Sequence, residues 1–256
     1  MASESAPPPG GPGPTLAALD ALWARYRSRW RRLLSRGAIA ELQLRASFDP
    51  ELLDVADIAR RIPPGTVPDC PRCDDLCCAG LENVVSLRLK DLAVLIDLGR
   101  TDLISKKKPV FPPSMLRRRP QLEALMRSSL YRTLPVLRQR GEQRICAALT
   151  VDLTCSIHPH WPTSCQRFPY TLSAVRREVH WGTRCPSKQS GPEHEAHAQA
   201  LFAGAVAAYN ERVRDAVLLA HAPRALEAMG LAHYLTGPDE DPFEDAPRSR
   251  LPLLEE

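Results

Sequence analysis

Residues 70–80 read Cys70-Pro-Arg-Cys73-Asp-Asp-Leu-Cys77-Cys78-Ala-Gly80, and these four cysteines within nine residues govern the interpretation of the chain. Of the chain's eight cysteines, the other four follow singly at Cys146, Cys155, Cys165 and Cys185. Thiolates are soft, strongly electron-donating ligands that suit zinc and iron–sulfur clusters. A Cys-x2-Cys loop lets two sulfurs reach one metal without backbone strain. Buried apolar cysteines would be scattered, so the clustering predicts metal ligation by Cys70, Cys73, Cys77, Cys78, Cys146, Cys155, Cys165 and Cys185, with one or two of them open to being ordinary core thiols.

Adjacent Cys77 and Cys78 are informative. On an extended backbone successive side chains point opposite ways. The pair would then serve two centres, or one would be a spare or redox-active thiol. Eight thiolates could fill two four-cysteine sites, or four could hold an iron–sulfur cluster and leave the rest for a second metal or an open site. Familiar spacings fail: there is no second Cys-x2-Cys knuckle for a zinc ribbon, and no C-x2-C-x2-C-x3-C-P run. Glycine-rich nucleotide loops, G-x-S-x-G elbows and H-E-x-x-H helices are absent too.

Working outward, the chain has 256 residues, 44% hydrophobic and 25% charged, the mix of a globular protein. No run approaches the roughly 18 apolar residues of a membrane span. The start, MASESAPPPGGPGP, lacks the basic and apolar regions of a secretory signal. The expectation is a cytoplasmic protein with reduced thiols, where clustered cysteines point to metal or redox chemistry before disulfides.

Net charge is +4, unevenly spread. Residues 237–256 hold seven acids and two arginines, giving −5, and read as an acidic disordered tail. Residues 1–15, rich in Pro and Gly, read as a second one. Residues 16–45 carry seven arginines against Asp20 and Glu41, giving +5. Residues 100–140 carry eleven basic residues against Asp102 and Glu123, giving +9, with Lys106-Lys107-Lys108 and Arg117-Arg118-Arg119 among them. Such an insert could meet phosphates or an acidic surface. A solvated loop and helix face is favoured over nucleic-acid binding, because only Phe111 and Tyr131 are at hand for base stacking.

Periodicity predicts helices over 16–36, with Leu19, Trp23, Tyr26, Trp30, Leu33 and Leu34 on one face, and over 39–61, more weakly. Alternation predicts a half-buried strand from Glu82 to Leu89, followed by a helix over 90–99. A helix near 120–139, short strands at 144–150 and 175–181, a long helix over 193–221 and a short one over 223–235 complete the pattern. His158, His160, His194 and His197 read as surface residues before ligands, and Asp91 as a helix-start residue. Arg167 is a candidate to balance an anionic thiolate site. Trp161, Phe168, Pro169 and Tyr170 are candidates to wall it from water, equally explained as core packing.

The cysteine run resembles the signature of the YkgJ-type cysteine-cluster family, the CxxCxxCC zinc- or iron-chelating domain. Val84 to Leu95, Cys146-Ala-Ala-Leu149, Cys155-Ser-Ile-His158, Pro162-Thr-Ser-Cys165-Gln-Arg167-Phe168-Pro169 and Cys185 follow in that family's order. The match spans about 66–190. Here three residues, not two, precede the double cysteine, Trp161-Pro162 replaces Arg-Pro, and the basic segment 100–140 is an enlargement. The resemblance implies a chelated zinc, iron or iron–sulfur centre. Some relatives are flagellin lysine methylases, but no S-adenosylmethionine motif is present, so that activity is not carried over and catalysis stays open. The expected fold is α+β: a small, irregular metal-clamped core with short strands at 66–190, braced by N-terminal helices at 16–65 and C-terminal helices at 191–236. The expected role is zinc or iron chelation with redox or protein-modifying chemistry on a protein partner. The alternative is a zinc-stabilised, non-catalytic binding module that contacts an acidic partner or nucleic acid through the basic insert. Oligomeric state is not encoded in any feature of the sequence.

Overall fold

The computed structural model describes residues 13–33, 51–70, 77–78, 84–107, 117 and 133–236. Cys73, most of both tails, the segment 39–50 of the second expected helix and residues 120–132 of the fourth lie outside the described residues.

The fold is α+β, with helices and short strands in four small sheets. Helix α1 (Pro14–Arg27) begins inside the stretch expected to be a tail, because a side chain far along the sequence caps it. Asp97 accepts the Thr15 and Leu16 amides at 2.9 Å each, satisfying two donors that a helix start leaves orphaned. The single expected helix over 16–36 is two helices. α1 ends at Arg27, a turn intervenes, and the one-turn α2 (Trp30–Leu33) follows with Trp30 buried. The described part of the expected helix over 39–61 is instead a 3-10 turn, Val55–Asp57, and a short strand β1 (Ala59–Arg60). β1 is drawn into a sheet with distant partners, and that pairing overrides a weak local helix signal.

Strand β2 (Thr66–Pro68) precedes the cysteine run. Residues 84–88 pair with a later strand through the Ser86–Val136 bridge, and helix α3 (Leu89–Asp97) follows at once. Gly99, at φ +66°, ends the helix in a conformation that suits glycine. The ends of the basic insert are part of the core rather than a solvated face. β3 (Ile104–Lys107) pairs antiparallel with β4 (Leu134–Leu137), and Lys106 is 6% exposed. β4 contains Pro135 and replaces the end of the expected helix over 120–139, since proline is tolerated at a sheet edge but not in a helix interior. The short antiparallel pair β5 (Gln139–Arg140) and β6 (Ile145–Cys146) follows.

Next come the one-turn α4 (Thr163–Gln166), then β7 (Tyr170–Ser173), β8 (Glu178–Trp181) and β9 (Lys188–Ser190). β8 is the centre of a three-stranded sheet, antiparallel to β7 and parallel to β1, while β9 pairs with β2. Helix α5 (Glu195–His221), about 40 Å long at 1.5 Å per residue, is the spine, and α6 (Pro223–Ala228) and a 3-10 turn (Ala232–Tyr234) follow it. Two cores meet along α5. Its earlier part, with Phe202, Val206, Val213 and Val217, packs with Trp30, Ile58, Val67, Tyr170 and Val179. Its end, through Leu218, joins Leu19, Leu22, Leu92 and Leu103. The second of these cores also takes in Cys146, with Cys78 and Cys155 packed against it. No helix among the described residues is long and apolar enough to cross a membrane.

Candidate metal centre

Three separate segments bring five thiols within electrostatic reach of one another. Cys77 and Cys78 lie in a turn. The Cys146 amide on β6 donates to the Cys78 carbonyl at 2.7 Å, which docks that turn onto the β5–β6 pair. The chain then doubles back. Ser156 donates to Ala148 at 2.8 Å and Leu149 bridges Cys155, so Cys155 returns beside Cys146. The fifth thiol, Cys165, rides on α4.

Helix α4 is positioned by Asp91 of α3. The Asp91 carboxylate accepts the Thr163 amide at 2.8 Å and the Thr163 hydroxyl at 2.6 Å on one oxygen, and the Arg88 amide at 2.8 Å on the other. The helix-start role expected of Asp91 is present, and the same group also fixes the start of α4, two residues before Cys165. Burial raises its pKa, and the Thr163 and Arg88 hydrogen bonds oppose that rise. Ser164 adds a bond to the Ser86 carbonyl at 3.0 Å. Gly204 of α5 lies against Gln166 and Arg167, where an added Cβ would sit 3.5 Å from the Gln166 carbonyl.

The thiols feel one another. The Cys77 thiol is lowered to about 7, chiefly by the hydrogen bond that the Cys78 thiol donates to it. Cys78 is raised by the same bond, then by burial and by Cys77, Cys146 and Cys165. Cys165 is pushed up to about 12 by burial, with Cys146, Cys155, Asp91 and Cys77 adding to the rise. Burial also raises Cys146, and Cys155 adds to it. The expectation that Cys77 and Cys78 point apart fails, because they occupy a turn rather than an extended strand, so their thiols meet.

Cys185 and Cys70 occupy a different place. The β2–β9 ladder continues past its strands, with Ser187 donating to the Asp69 carbonyl at 3.3 Å. Cys70 leaves that end of β2 at the surface, and buried Cys185 lies three residues before β9, its thiol donating to the Ser187 carbonyl at 3.2 Å. Trp181 holds the Cys185 carbonyl at 2.8 Å. No disulfide joins the described cysteines.

Comparison with protein-family models, curated proteins and solved structures finds no match.

The cysteine-cluster resemblance therefore rests on the residues quoted for it. By donor type the five thiols suit a soft metal. By position they are not yet a closed cage: among the described residues no three His, Cys, Asp or Glu side chains stand as a metal-holding group. Two guanidinium groups sit beside the thiols. Arg167 acts on Cys165 and donates to the Tyr170 carbonyl at 2.8 Å. Arg140 acts on Cys146, and the sequence did not single it out, because only the β5–β6 pairing (Gln139 opposite Cys146) carries it there. Of the expected wall residues, Tyr170 and Pro169 are buried, but the Tyr170 hydroxyl turns to the Thr66 carbonyl in the other core, and Trp161 is 40% exposed. His158 and His160 are exposed, with His158 edge-on to Trp161 at 4.7 Å. His194 pairs with Glu193 at 3.3 Å at the surface.

Proposed function

We propose that Cys77, Cys78, Cys146, Cys155 and Cys165 supply the ligands of one thiolate-held zinc or iron centre. The supporting observation is the convergence of thiols from residues 77–78, 146–155 and 165, three segments far apart along the chain, close enough for their thiols to influence one another. Metal binding would draw the sulfurs from their present spacing to roughly 2.3 Å from the ion. It would also displace the thiol protons, since the thiolate is the ligand. Arg140 and Arg167 would offset part of the resulting negative charge. The metal would supply either a structural clamp or, as iron, an electron-transfer centre. Cys70 and Cys185 form a separate pair of candidate ligands at the β2–β9 end.

A recruiting role for the lysine run of the basic insert is weaker, because Lys106 is buried in β3. The metal reading is tested on protein purified without oxygen, by elemental analysis and a visible spectrum of one sample. Stoichiometric zinc in a colourless sample, or iron with thiolate-to-iron absorption, is expected. Each of Cys78→Ser, Cys146→Ser and Cys165→Ser should lower the retained metal. Metal content at background in the parent protein, or unchanged in all three variants, would overturn the assignment.

A further inference from the structure

The geometry points to a second site, distinct from the cysteines: a cationic groove between α1 and the α5–α6 junction that binds a phosphate ester. The groove has a volume of about 560 Å³. That falls within the roughly 300–1,000 Å³ typical of small-molecule sites. Arg25 and Arg29 line one side and Arg224 and His221 the other. Arg25 lies in the last turn of α1 and Arg29 in the turn that follows it. Leu22 and Ala222, both buried, lie at its base, and Pro223 adds apolar surface.

Carboxylates offset several of the protein's arginines. Arg60, Arg61, Arg100, Arg176, Arg177 and Arg214 each face a carboxylate. Arg25, Arg29 and Arg224 face none among the described residues, and Glu227, one turn beyond Arg224, does not line the groove. Three like charges gathered around one cavity repel each other unless an anion joins them. The walls are held in place: the Tyr26 hydroxyl donates to the His221 carbonyl at 3.1 Å, and the His221 ring bonds the Leu33 carbonyl. The site is thus built before a ligand arrives.

The chemistry selects the ligand class. Guanidinium forks pair with phosphate oxygens two at a time, and a phosphate monoester carries enough charge to engage several of them. The apolar base favours a ligand with a nonpolar body over a bare ion. A soluble phosphate ester and a lipid phosphate headgroup share this chemistry.

The test is calorimetric titration of the full chain with phenyl phosphate and with inorganic phosphate, alongside co-sedimentation with phosphatidylcholine vesicles with and without phosphatidic acid. Phenyl phosphate should bind with a dissociation constant of about 1 mM or tighter and about tenfold more tightly than inorganic phosphate. Arg25→Gln, Arg29→Gln and Arg224→Gln should each weaken it about tenfold, the usual worth of one charge-assisted bond. Arg61→Gln, outside the groove, should leave affinity unchanged. These side chains are exposed, and an unchanged circular-dichroism spectrum would show that each variant folds. Binding only to vesicles that contain phosphatidic acid, lost in the groove variants, would assign the headgroup as the source. No saturable binding to any probe up to about 10 mM, or equal weakening by Arg61→Gln, would overturn the proposal.

Discussion

Asp91 is the joint between the core and the helix that carries Cys165, so Asp91→Ala should destabilise the whole protein. The substitution removes an acceptor of three hydrogen bonds and strands the Arg88 amide, the Thr163 amide and the Thr163 hydroxyl. Unsatisfied buried donors cost about 1–3 kcal/mol each, and the neighbours can relax for only some of them, so a loss on the order of 3–5 kcal/mol is expected. That is a large part of the roughly 5–15 kcal/mol a domain has. Asp91→Asn keeps one oxygen for Thr163 but sets an NH2 group against the Arg88 amide. It should lose one bond, or about 1–2 kcal/mol. Thr163→Val removes only the hydroxyl bond, and combined with Asp91→Ala it should cost less than the two changes added together. Urea denaturation followed by circular dichroism in reducing buffer measures all four. A cost below about 1 kcal/mol for Asp91→Ala, or an Asn variant as damaged as the Ala variant, would refute this account of how α4 is held.

Other expectations follow from single groups. Burial pushes the Asp215 carboxyl up to about 7 from its ordinary 3.8, with Arg88, Glu211, Arg214 and Asp91 around it. The folded state then holds the proton more tightly, so stability should fall by about 4 kcal/mol as pH rises from about 4 to about 7, and Asp215→Asn should flatten that slope. Identical slopes for the parent and Asp215→Asn in urea titrations at several pH values would sink the assignment. Tyr170→Phe breaks a buried 2.6 Å hydrogen bond to the Thr66 carbonyl and should cost about 1–2 kcal/mol by the same denaturation assay. Gly65→Ala should cost more, because Gly65 has φ +67° and its missing Cβ would collide with the Gly191 carbonyl; a thermal midpoint equal to the parent's would contradict this. Stripping metal with a chelator should lower the thermal midpoint if the thiol centre clamps the fold, and an unchanged midpoint after verified metal loss would remove the clamping role.

The helices were legible where periodicity was long and uninterrupted. The apolar spacing over 193–221 is strong enough that α5 forms nearly as expected, and Leu92, Leu95 and Gly99 mark α3. Strands were legible poorly, because β1, β5 and β6 are two residues each and exist only through partners far along the chain. Local sequence carries no record of those partners. Pro135 falls inside the helix expected near 120–139, yet the pairing of residues 104–107 with 134–137 makes it part of a strand.

The cysteines divide in the same way. Their number, type and clustering are properties of the sequence, and they alone indicate thiol chemistry. Which thiols meet is a tertiary property. The Cys146 amide bond to Cys78, the doubling back of residues 146–156 and the Asp91 anchor on Thr163 gather five of them, while the β2–β9 ladder holds Cys70 and Cys185 elsewhere. Spacing along a chain constrains only neighbours within a few residues, whereas contacts across 70 residues are set by which backbone groups find partners once the two cores have packed against α5.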